Sequence, residues 1–91
     1  MNDTAPDDLA LRRKRLRYRS WRRGMKEVDL LLGGFADAHL GAMSEAELDR
    51  YEGLLAKPDP DIFSWVVGSV APPKDIDPCL IEMIRNIRNN Q

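Results

Sequence analysis

Apolar residues recur along this chain at intervals of three and four, and nowhere alternate over the length of a strand. The clearest run is Met25, Val28, Leu31, Leu32 and Phe35, the buried face of a helix expected to begin around Arg22 to Gly24 and to stop near His39 to Gly41. Lys26, Glu27 and Asp29 fall largely off that face. Gly33-Gly34 interrupts it, and each glycine costs about 1 kcal/mol against alanine in a helix interior. Such a pair implies a kink, or a second helix so close that a side chain is excluded.

The other segments follow the same rule. Residues 1–6 are polar, contain a proline and are expected to form a disordered tail. Asp7 or Asp8 is placed to cap a first helix running to about Ser20, with Leu9, Leu16 and Leu11 as its inward candidates. Ser44-Glu45-Ala46-Glu47 reads as a capping box ahead of an amphipathic helix carrying Leu48, Tyr51, Leu54 and Leu55 and ending before Pro58. In Pro58-Asp59-Pro60-Asp61, Asp59 is the expected cap and Pro60 the first helical residue. The short helix that follows, rich in Ile62, Phe63, Trp65, Val66 and Val67, is stopped by Gly68 and reads as a central plug. Asp77-Pro78 repeats the device for a last helix with Leu80, Ile81, Met83, Ile84 and Ile87, leaving residues 89–91 as a polar tail. The expected architecture is all-α: one compact bundle of about five short helices over residues 7–88.

Ninety-one residues suit a single domain that buries roughly 60–65% of its unfolded surface. No apolar run approaches the roughly 20 residues that span a bilayer, so no membrane insertion is expected. The acidic opening, with Asp3, Asp7 and Asp8, is unlike a secretory signal or a transit peptide, and Cys79 has no partner for a disulfide. A bacterial cytoplasm fits these features better than a mitochondrial matrix. The net charge of −1 argues against a general nucleic-acid binder, but its distribution is uneven. Arg12, Arg13, Lys14, Arg15, Arg17, Arg19, Arg22, Arg23 and Lys26 hold nine of the fourteen basic residues, and the middle of the chain is acidic. Such a dipolar molecule should present its basic end to something acidic.

Familiar catalytic chemistry is missing. There is no phosphate-cradling GxxxxGK[ST] loop and no GxGxxG. One histidine, His39, and one cysteine, Cys79, do not supply the usual structural zinc sites. His39 is expected at a helix end, interacting with the dipole or facing water. Cys79 is expected as a half-buried structural thiol.

What remains is the cluster Arg23-Gly24-Met25-Lys26-Glu27. As ordinary helix chemistry, Arg23 and Glu27 form an i,i+4 pair worth about 0.2–0.5 kcal/mol, and Gly24 marks a turn. As a recognition surface, Arg23, Gly24 and Glu27 share one face, and the missing side chain opens a notch between an arginine and a carboxylate for a partner's backbone. The combination favours recognition. The basic run 12–23 is a solvated face by default. Its rival reading is a nucleic-acid-binding regulator in which Tyr18 and Trp21 interleave with the arginines.

At these residues the sequence resembles a known family, the small succinate dehydrogenase assembly factors that promote flavinylation. The resemblance is carried by Tyr18-Arg19-Ser20 and by Arg22 to Glu27 running into Asp29-Leu30-Leu31-Leu32 and Phe35. Leu48, Tyr51 to Leu55, Asp59, Asp61-Ile62-Phe63-Ser64-Trp65 and Gly68 continue it. It covers roughly residues 12–88, with Ile62 where leucine is usual. It implies a five-helix bundle that binds the flavoprotein subunit of succinate dehydrogenase, or in some bacteria of fumarate reductase. There it promotes covalent linkage of FAD to a client histidine, with no cofactor of its own. Carried over by position, the partner-binding signature is Arg23, Gly24 and Glu27, with Met25 and Lys26 inside it. Phe63 and Trp65 read as core. Some relatives are described as antitoxin-like, which extends the rival regulatory reading.

Overall fold

The computed structural model describes residues 5–89, with side chains from Asp8 onward. Five α-helices follow one another: α1 (Ala5–Trp21), α2 (Lys26–His39), α3 (Glu45–Leu55), α4 (Asp59–Val67) and α5 (Pro78–Asn89). A single 3-10 turn, Leu40–Ala42, links α2 to α3, and no strand occurs among the described residues. The expected all-α bundle is therefore the fold.

α2 is the central element, packing against α1, α4 and α5. Its Val28, Leu31, Leu32, Phe35 and Ala36 are buried, joined by Leu48, Tyr51, Leu54 and Leu55 of α3. Ile62, Trp65 and Val66 of α4 and Leu80, Ile81 and Ile84 of α5 complete the core. Each such side chain contributes roughly 1.5–3 kcal/mol when taken fully out of water. Gly33-Gly34 does not break α2. A Cβ on Gly33 would lie 2.2 Å from the Trp21 ring, and one on Gly34 would lie 3.2 Å from Ile87. Of the two alternatives, close approach is the one realised, and by an indole rather than a helix backbone at Gly33.

Local punctuation mostly falls where the sequence places it. Ser44 accepts from the Glu47 amide and Glu47 accepts from the Ser44 amide, completing the capping box. The Asp77 carboxylate accepts from the Cys79 amide at 2.9 Å, and Gly68 closes α4 at φ +89°. Arg85 reaches back from α5 to cap the carbonyls of Trp65 and Val66.

Four expectations need correction. α1 begins at Ala5, so Asp7 and Asp8 lie in its first turn instead of capping it. Leu11 faces outward at 45% exposure, leaving Leu16 and Leu9 as the inward residues. α4 has Pro58 as its cap residue, and the Asp59 carboxylate is engaged elsewhere. α2 begins at Lys26, later than expected, because Gly24 adopts φ +118°, a conformation no helix contains. The tail expected at 1–6 lies largely outside the described residues, as does the polar end beyond Asn89.

Candidate partner-binding groove at the Arg23–Gly24 turn

α1 ends in a buried polar knot. Ser20 Oγ donates to the Leu16 carbonyl at 2.7 Å, and Tyr51 Oη lies 2.6 Å from Ser20 Oγ and 3.2 Å from the Leu32 carbonyl. This ties α1, α2 and α3 together just before the turn. Burial pushes the Tyr51 phenol up to about 12, against the opposing pull of Ser20, Arg23 and Arg19. Outside the knot, the Trp21 ring lies over Gly33 and its Nε1 donates to Asp37 at 3.3 Å.

The chain then reverses through Arg23, Gly24 and Met25. Arg23 points inward, contrary to the expectation that it would be displayed. Its Nε donates to Asp59 Oδ1 at 2.8 Å, and the two side chains are only 12% and 11% exposed. Its terminal nitrogens donate to the carbonyls of Leu55 and Lys57, satisfying acceptors that the end of α3 leaves free. Two carboxylates fix the backbone of the turn. Asp29 accepts from the Arg23 amide at 2.6 Å, and Asp59 accepts from the Met25 amide at 3.3 Å. The side chain of Met25 packs on the core.

Gly24 is thus held on a rigid frame while remaining exposed. A Cβ there would meet only Asp59 Oδ2, at 4.0 Å, so space is available. Glycine is required by the backbone: φ +118° strains any L residue, at about 1–3 kcal/mol. Beside it opens a groove of about 630 Å³, lined by Tyr18 of α1 and Arg22 just past its end on one side and by Pro58 and Pro60 on the other. The Arg23–Asp59 pair, Gly24 and Met25 also line it. The Arg22 guanidinium stacks 4.7 Å over the Tyr18 ring, which presents that wall as a flat cationic surface.

Of the five residues singled out by sequence, Arg23, Gly24 and Met25 meet at the groove. Lys26 and Glu27 do not line it; they stand exposed in the first turn of α2. Arg23 and Glu27 share no helical face and form no intrahelical pair, because Arg23 precedes the helix. Glu27 pairs with no cation among the described residues, so its carboxylate faces solvent beside the positive end of α2. Sequence reasoning missed Asp59, Asp29, Pro58 and Pro60 as parts of the site. The Pro-Asp-Pro run signalled a helix start, but nothing local linked it to an arginine 36 residues earlier.

Other polar residues are accounted for elsewhere. Arg12 bridges Asp49 at 2.6 Å and Glu52 at 2.9 Å, and Arg19 reaches Glu52 at 3.4 Å. Arg17 lies 4.0 Å from Asp37. Much of the basic run is therefore neutralised by acids of α3 and α2. His39 ends α2 half-buried, its ring 4.9 Å from Phe35. Cys79 is exposed, not half-buried as expected, because it occupies the outward side of the first turn of α5. Among the described residues no group of three metal-ligating side chains converges. No described helix is long and apolar enough to cross a membrane.

The sequence pattern of a family described as the flavinator of succinate dehydrogenase matches residues 14–88. The FAD assembly factor SdhE of Acetobacter pasteurianus is 39% identical over 85 residues, covering 92% of this chain and 78% of that protein. The mitochondrial succinate dehydrogenase assembly factor 2 of Dictyostelium discoideum is 39% identical over 74 residues, 81% of this chain and 52% of that one. For the same-named protein of Candida glabrata the figures are 53% over 60 residues, 66% and 39%. The chain spans most of the bacterial relative and about half or less of the two mitochondrial ones. Because the family match runs from inside α1 to the last turn of α5 and takes in every element that shapes the groove, this chain belongs to the succinate dehydrogenase flavinator family.

Proposed function

We propose that this assembly factor binds the flavoprotein subunit of succinate dehydrogenase through the Gly24 turn and its groove, and so promotes covalent attachment of FAD to that subunit. The observation that carries the reading is the exposed glycine held at φ +118° on a frame of Arg23, Asp29 and Asp59. A backbone fixed in this way, with no side chain over it, offers a partner close approach without an ordering cost on binding. Glu27 supplies an unpaired carboxylate beside it, and Arg22 on Tyr18 supplies a cationic wall.

The chain leaves the bond-making to its client. His39 packs on Phe35, and among the described residues neither its ring nor the Cys79 thiol takes part in a hydrogen bond, which supports a non-catalytic role. It holds no FAD of its own. It acts by binding a minor conformation of the client in which flavin and acceptor histidine are aligned, and it raises that population by its differential affinity. The flavoprotein subunit of fumarate reductase is a second client of the same chemistry.

The test is co-expression of the flavoprotein subunit with and without this chain, scored by in-gel flavin fluorescence of the denatured client. Covalent flavin should rise with the chain present, and the Gly24→Arg variant should abolish the rise and the co-purification. Equal covalent flavin with and without the chain would reject the function. Full activity of Gly24→Arg would reject the turn as the contact.

A further inference from the structure

The outward face of α1 carries a second feature that the groove does not absorb. α1 is basic all round, yet the cations of the helix and of Arg22 just beyond it divide into two sets. Those on the flanks are matched within the molecule: Arg12 and Arg19 by Asp49 and Glu52 one turn apart on α3, Arg17 by Asp37, and the half-buried Arg13 by the Met43 carbonyl. Lys14, Arg15 and Arg22 pair with no acidic side chain among the described residues, and all three are exposed.

Lys14 and Arg15 follow the spacing 11, 14, 15, 18 of a single face of α1, beside its two most exposed large apolar residues, and Arg22 follows just past the helix end, stacked on Tyr18. Leu11 is 45% exposed and Tyr18 is 61% exposed. Leu11, Lys14, Arg15 and Tyr18 line one shallow depression. Tyr18 and Arg22 also line the groove at the Gly24 turn, so the strip and the groove form one continuous surface.

We infer that this strip docks an acidic, partly apolar helical segment of the flavoprotein client, one with carboxylates a helical turn apart and an apolar residue between them. The flank of α1 supplies the template, since Asp49 and Glu52 on α3 already meet Arg12 and Arg19 in that manner. Charge complementarity thus selects the partner, and Leu11 and Tyr18 supply the apolar contact a purely electrostatic encounter lacks. The inference rests on the proposed binding of the flavoprotein subunit and adds a second element to it. The groove aligns the client, and the strip captures it and raises the association rate.

The double variant Lys14→Glu/Arg15→Glu tests this without touching the groove. Binding of the purified chain to the flavoprotein subunit is measured at low and high salt, with the melting temperature as the control for folding. The double variant should bind about tenfold or more weakly at low salt, lose most of the salt dependence and melt normally. The Leu11→Ser variant should weaken binding while keeping the salt dependence. Covalent flavin should recover when the double variant is supplied in excess, since capture and not alignment has been damaged. Unchanged affinity and salt dependence would overturn the strip while leaving the groove intact. A double variant that loses binding only to duplex DNA or to anionic vesicles, with client binding unchanged, would overturn it in favour of that surface. Failure of the unaltered chain to bind the flavoprotein subunit would overturn both readings together.

Discussion

Gly24 and Gly33 stand nine residues apart, and each was legible from sequence as a place where a side chain is missing. The structure gives them opposite reasons. At Gly33 the space is filled by the Trp21 ring, 2.2 Å from where a Cβ would sit, and the backbone is ordinary helix. At Gly24 the space is open and the backbone is what excludes other residues, at φ +118°. One glycine closes the bundle and the other displays a turn. The molecule is organised as a frame of long-range contacts behind a small exposed surface, and changes to the two should separate stability from function.

The largest effect on the frame is expected at Asp59. Its carboxylate joins Arg23 to the Met25 amide in a nearly water-free setting. Asp59→Ala leaves the guanidinium uncompensated and should cost about 3 kcal/mol or more. For a domain of this size that lowers the melting temperature by roughly 12 °C or more. A loss below about 1 kcal/mol would show that the pair is not part of the frame.

The Tyr51 knot makes the next prediction. Its phenol titrates near its usual value of 10 in the unfolded chain and at about 12 in the folded one. Folding therefore favours the protonated form. The contribution is complete below pH 10 and is lost as pH rises from 10 to 12, a decline of up to about 2–3 kcal/mol. Denaturant melts across that range should show the decline in the unaltered protein and a much smaller one in Tyr51→Phe. A pH-independent stability there would mean the phenol is not buried in the way described.

Glycine-to-alanine changes then test the comparison directly. Gly53 sits inside α3 with nothing within 4 Å of a new Cβ, so Gly53→Ala should stabilise by about 0.5–1 kcal/mol through helix propensity. Gly33→Ala carries the same propensity gain but must displace the Trp21 ring, and should destabilise by about 1–3 kcal/mol overall. Equal effects at the two positions would remove the distinction between a closing glycine and an ordinary one.

How far the sequence disclosed all this follows from the range of each interaction. Helix periods, the Ser44 box, the Gly68 stop and the Asp77-Pro78 start depend on residues no more than four apart, and all are found in the structure. Arg23 was misdirected because its partners lie at positions 55, 57 and 59, and no local pattern encodes a pairing across a whole helix. The same distance hid the Ser20–Tyr51 knot and made Asp59 look like a helix cap. Gly24 itself held a readable clue: the apolar face of α2 gathers strength only from Val28 onward, consistent with a turn before Lys26. Three of the five residues of the cluster meet at the groove, and the division of labour among them was not legible. Arg23 holds the turn; Gly24 and Glu27 are what it presents.

That division gives the central claim its most direct measurement. Glu27 is exposed and unpaired among the described residues, so Glu27→Ala should change stability by no more than about 0.5 kcal/mol. The flavoprotein subunit co-expressed with this variant should nevertheless carry clearly less covalent flavin than with the unaltered chain, read as in-gel fluorescence at equal protein load. Full flavin in the presence of a normally folded Glu27→Ala chain would contradict the assignment of this turn as the working surface.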